Sequence, residues 1–190
     1  MTNNDILRRL RYMLNYNDST MADIFALGGH SVTSAAVADF LKREDEPGYV
    51  ECGHPEMECF LNGLIIHRRG RKEGAPAPAE NPHAILLNND ILKKLRIALE
   101  LQEDDMLAIM KYADVEISRS ELSALFRKDG HKHYKDCGDQ FLRKFLRGLS
   151  VWRQVTQSAG NNPAEGGALP PKNEVGGSLP GNAGFSDPAP

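Results

Sequence analysis

The chain has 190 residues, 41% of them apolar, and a formal net charge of −3. That composition supports a folded core in one or two small domains, and with a pI near 6.1 it argues against a generally basic nucleic-acid binder. No run of eighteen apolar residues occurs and Met1–Asn4 begins no apolar leader, so the expectation is a cytosolic protein with neither a membrane span nor a membrane partner.

In chain order, Asn3 or Asn4 is the predicted N-cap of a first helix, with Asp5 in its first turn and a buried stripe of Ile6, Leu7, Leu10, Met13 and Leu14. A second helix begins near Asp18 or Ser19, carries Met21, Ile24 and Phe25, and stops at Gly28-Gly29. Thr33, Val37, Phe40 and Leu41 mark a third. A loop through Pro47-Gly48 leads to Cys52-Gly53 and a fourth helix, with Pro55 in its first turn and Met57, Phe60, Leu61, Leu64 and Ile65 on one face. Residues 69–87, with Gly70, Gly74, Pro76, Pro78 and Pro82, read as a flexible linker.

The pattern then starts again. Asn88-Asn89-Asp90-Ile91-Leu92 repeats Asn3-Asn4-Asp5-Ile6-Leu7 at an offset of 85, and the same ungapped offset brings Tyr134 onto Tyr49, Cys137-Gly138 onto Cys52-Gly53 and Phe145-Leu146-x-Gly148-Leu149 onto Phe60-Leu61-x-Gly63-Leu64. Eighteen of the 66 positions from 3 to 68 are identical, where chance gives about four, which is the signature of a duplication. Ser118 and Glu121 form a capping box for the third helix of this copy. Beyond 157 only Leu169, Val175, Leu179 and Phe185 are large and apolar, so 158–190 reads as a disordered tail.

The prediction is therefore an all-α protein: two tandem copies of a small four-helix unit, residues 1–68 and 88–157, packed as pseudo-symmetric lobes because each alone has little core. Gly63 and Gly148, in mid-helix, predict close helix approach there. What the copies share reads as core and caps, with a polar surface that differs between them.

No motif establishes catalysis, and no cofactor is expected. Cys52 and Cys137 precede the fourth helix of each copy, where helix N–H groups could activate a thiol; Cys137, near His131 and His133, is the candidate. The bland reading of both as buried packing residues is the stronger one. Cys52, His54 and Cys59 lack a standard zinc spacing, and the second copy replaces His54 with Asp139 and Cys59 with Lys144. The second and third helices can be read as a helix-turn-helix presenting Arg119, Ser123 and Arg127, and Lys93, Lys94, Arg143, Lys144 and Arg147 are candidate contacts to nucleic acid or an anionic partner. Residues 3–68 carry a net −4 and 88–153 a net +2, too patchy a charge for a duplex-binding face. The leading expectation is a non-enzymatic binding or adaptor module with a protein partner; a nucleic-acid-binding regulator is the alternative.

Asn-Asn-Asp-Ile-Leu-x-x-Leu-Arg, Phe60-Leu61-Asn62-Gly63-Leu64-Ile65 and the run Cys137 to Leu149 resemble the bacterial YehS-like family, a duplicated domain of unknown function. The resemblance spans residues 3–153 and implies a cytosolic helical protein. It supplies no catalytic residues.

Overall fold

Eight helices and no strand make up the computed structural model of the protein over its described residues, 1–74, 76 and 78–160. The first copy holds α1 (Asn3–Leu14), α2 (Asp18–Leu27), α3 (Ser34–Leu41) and α4 (His54–Arg69). The second holds α5 (Asn88–Ala98), α6 (Glu103–Tyr112), α7 (Arg119–Ala124) and α8 (Asp139–Gly160). Each helix of the second set starts 85 positions after its counterpart, so the duplication covers the whole unit. Of the tail expected from residue 158, residues 161–190 lie outside the described part.

Local chemistry fixes the helix ends. Thr2, rather than either asparagine, caps α1: its hydroxyl accepts from Asp5 N at 3.2 Å while the Asp5 carboxylate faces Thr2 N. In the second copy Leu87 takes that place and only the reciprocal bond survives, Leu87 N donating to Asp90 at 3.2 Å. The predicted N-cap role of Asn3 and Asn4 is thus corrected; both sit inside the first turn, their side chains free to reach elsewhere. Asn17 caps α2 through Thr20 N at 2.8 Å, and Ser118 caps α7 in the predicted box with Glu121. Left-handed residues close the first two helices at matching places, Asn15 and Glu100 (φ 55 and 56) and Gly29 and Asp114 (φ 97 and 56). The backbone bend is retained where the residue type is not.

Within each lobe α2 packs on α4, and α6 on α8, across the mid-helix glycines. A Cβ on Gly63 would fall 1.8 Å from the Ile24 carbonyl oxygen, and one on Gly148 2.0 Å from that of Ile109. Gly28 meets the Cys59 carbonyl in the same way; a Cβ on Gly148 would also lie 3.3 Å from the methyl of Ala113, the counterpart of Gly28, a tight contact. The close approach expected from these glycines is the organising contact of both lobes.

Between lobes, α4 lies against α5 and α8 against α1, the reciprocal pattern of a two-fold relation. One continuous apolar core runs through both, from Ile6 and Phe60 to Leu92 and Phe145. Lys94 reaches across to Asn62 (2.5 Å) and Glu58 (3.4 Å), Arg69 to Glu100 (3.4 Å), and the Met1 ammonium to Asp139 (2.5 Å). The connecting segment is tied to the first lobe by His30–Glu80 (2.8 Å) and by Leu86 N donating to His54 Nδ1 (2.9 Å), with Leu86 itself buried.

Candidate binding clefts

The repeated Asn-Asn pair places the loop between the third and fourth helices of each copy. Asn4, fully buried, donates from Nδ2 to the carbonyls of Phe40 and Val50 (2.8 Å each) and accepts at Oδ1 from Cys52 N (3.0 Å) and the Tyr49 hydroxyl (3.3 Å). Asn89 repeats this with Leu125 (2.8 Å), Lys135 (2.9 Å) and Cys137 N (2.8 Å). Asn3 and Asn88 each donate to the carbonyl of the following cysteine at 3.0 Å. A side-chain amide serves here because it alone offers two donors and an acceptor on one short stem.

That pinning holds the loop beside the first helix of each copy and opens a cleft of about 450 Å³ in the first lobe and about 420 Å³ in the second. The two clefts share a set of ionisable positions. Asp5, Arg8, Arg43, Glu44 and Tyr49 line one; Asp90, Lys93, Lys128, Asp129 and Tyr134, each 85 positions on, line the other. Arg9 in the first cleft and Arg127 in the second complete three basic groups, two acidic groups and a tyrosine in each. Over these five pairs the polar surfaces agree in charge, although elsewhere they differ as expected. Identity counting misses the match because Arg and Lys, or Glu and Asp, exchange at these positions.

The electrostatics of the clefts follow from their neighbours. Burial opposes ionisation of Asp5, but the Arg8 guanidinium and the Thr2 cap together hold its carboxyl below the usual range. Arg8 bonds Asp5 and also donates to the Lys42 carbonyl at 2.5 Å. Tyr49 and Tyr134 are pushed up, first by burial and then by nearby acids, Glu51 for one and Asp136 for the other, so both stay protonated donors. A cleft of this kind offers a partner alternating charges and a phenol, with no nucleophile paired to a base.

The basic residues predicted as contacts scatter. Lys93 and Arg127 enter the second cleft. Lys94 turns to the first lobe, Arg119 is taken up by Glu103 and by Asp104 (2.5 Å) on α6, and Arg147 faces Asp114 (3.7 Å). Arg143 and Lys144 are exposed on α8. The segment read as a recognition helix, α7, spans only six residues, and of the two arginines that would have marked it Arg119 is paired with α6 and Arg127 lines the second cleft.

Cys137 is buried and its thiol is pushed up to about 12, by burial first and then by Asp139; Cys52 is shifted upward in the same way. The stronger reading, buried packing residues, is the one this favours over the candidate activation at the helix N-terminus: desolvation outweighs the helix dipole. At pH 8 the thiolate fraction is then on the order of 10⁻⁴ against about a quarter for a free cysteine. Iodoacetamide should therefore label native Cys137 at least a hundredfold more slowly than glutathione, and parity between the two would restore the reactive thiol. His54 is engaged by Leu86 N, and no group of three or more His, Cys, Asp or Glu side chains is arranged to hold a metal among the described residues. No helix among them is long and apolar enough to cross a membrane.

Fold and site together define a class: duplicated all-helical proteins with one charged cleft per copy. The chain belongs to the family described as "Protein of unknown function (DUF1456)", which matches it twice, over residues 3–70 and 88–154. It is 44% identical over 155 residues to the "Uncharacterized protein YehS" of Escherichia coli (strain K12), an alignment covering 82% of this chain and 98% of that protein. No solved structure matches it.

Proposed function

We propose that the chain is a non-enzymatic, bivalent binding module of the cytosol that recognises a protein partner through its two similarly charged clefts. The observation that carries this reading is the repetition of one charge set, three basic, two acidic and a tyrosine, in copies that otherwise differ at most positions. Mixed charge favours a protein surface, where opposite patches can be met in register. It disfavours a nucleic-acid backbone, which the two carboxylates of each cleft repel. Two such sites on one rigid body raise avidity without any new contact.

Charge reversal tests it. Arg9→Glu with Arg43→Glu empties one cleft of attraction, and Lys93→Glu with Lys128→Glu the other. Quantitative capture from the native cytosol, after nuclease treatment, is expected to fall by about tenfold to a hundredfold with either pair, and to be lost with both. Circular dichroism should be unchanged. Retention of the same proteins by the quadruple variant sinks the reading, and capture seen only when the nuclease treatment is omitted supports the nucleic-acid alternative.

A further inference from the structure

The two reciprocal contacts between lobes are not equally filled. On the α4–α5 side, Arg69 meets Glu100. On the α8–α1 side the equivalent positions are Gln154 and Asn15, so that ion pair is replaced by two amides and no carboxylate lines the gap. What remains is a cleft of about 400 Å³ bounded by the end of α1 and the last turns of α8, where Arg11, Asn15, Tyr16, Ser150, Arg153 and Gln154 converge. Arg11 Nε is held at 2.8 Å by Asp18, which lies outside the lining.

Two polar atoms in this cleft are buried and met by no protein group among the described residues: the Tyr16 hydroxyl and Arg153 Nε. Arg153 also feels a second guanidinium, Arg68, its own counterpart in the first copy. A half-buried cation beside another cation, without an anion, costs stability. Two of the α1 carbonyls that would oppose an anion here are occupied, those of Arg11 and Tyr12 accepting from Tyr16 N (3.1 Å) and Asn15 N (3.2 Å).

We propose that the cleft between α1 and α8 is a binding site for a small oxyanion, a phosphate or carboxylate group, gripped by Arg153 with Arg11 and the Tyr16 hydroxyl. The volume suits a small metabolite bearing such a group. A guanidinium fork and a phenol supply the charge-assisted donors that a planar or tetrahedral oxyanion takes. Because its walls come from both lobes, occupancy ties them together.

Calorimetric titration and thermal melting of the full chain test this, with inorganic phosphate and citrate as probes at constant ionic strength set by chloride. One saturable site per chain is expected; a response to phosphate identifies the phosphoryl class, and one to citrate the carboxylate class. Arg153→Gln should weaken binding by about tenfold to a hundredfold and, unliganded, raise the melting temperature. Tyr16→Phe should weaken binding less. Should the glutamine variant not fold, Arg153→Lys keeps the charge without the fork and is expected to lose several-fold in affinity. Absence of saturable binding of either probe overturns the proposal, as does equal binding by wild type and the Arg153 variants.

Discussion

Gly63→Ala and Gly148→Ala are each expected to destabilise the protein by about 3 kcal/mol or more, a fall in melting temperature of roughly 6–12 °C for a unit of this size. The sign is the informative part. By helix propensity alone, alanine in mid-helix is favoured over glycine by about 1 kcal/mol. Here the added methyl would lie 1.8 Å from the Ile24 carbonyl oxygen or 2.0 Å from that of Ile109, and those atoms are backbone, held by helix hydrogen bonds and unable to swing aside. Relief requires α2 to back away from α4, or α6 from α8, opening the core around Phe25 and Phe60 or around Met110 and Phe145. Thermal unfolding with either variant at or above wild type would show that the helices are not locked at these glycines.

The second large effect is expected at the buried asparagine. Asn4→Ala removes one side chain and orphans three backbone groups, the carbonyls of Phe40 and Val50 and the N–H of Cys52. At about 1–3 kcal/mol for each unsatisfied buried group, with water reaching part of the loop, a loss of about 3–5 kcal/mol is expected. Asn89→Ala should cost less, because Asn89 is only part-buried and its bond to Lys135 is exposed. Amide hydrogen exchange separates a local from a global effect: the Cys52 amide should lose protection in Asn4→Ala while the Cys137 amide keeps it, and the reverse in Asn89→Ala. Loss of protection at both amides in either variant would mean that the lobes unfold as one unit.

These two predictions stand differently toward the sequence. The glycines could be singled out from it, because a mid-helix glycine that recurs at an 85-residue offset asks for a packing reason. The asparagines were visible too, but read as caps, since a residue at a helix start has a strong local use and nothing local reveals a partner 36 to 49 positions away. The clefts were the hardest to see. Their ionisable groups come from the first helix and from the loop before the fourth, two stretches with no shared periodicity, and their likeness lies in charge rather than identity. Cys137 shows the opposite hazard: position at a helix start suggested activation, whereas the surrounding apolar packing decides the direction of its shift.

The sequence by itself determined the duplication, the helix faces and most helix ends, because each depends on chemistry within a few residues or on comparison of the chain with itself. Apolar spacing of three and four picks the buried stripe, and Ser, Thr or Asn before it closes the first turn. Only the tertiary structure decided which polar groups meet. It turned Lys94 and Arg119 into ion-pair partners, gathered Lys93, Arg127 and Lys128 around Tyr134, and left Arg153 beside Arg68 between the lobes. Long side chains reach whatever the packing of helices sets near them, and that packing follows from backbone contact at Gly63 and Gly148, which residue order marks but does not orient.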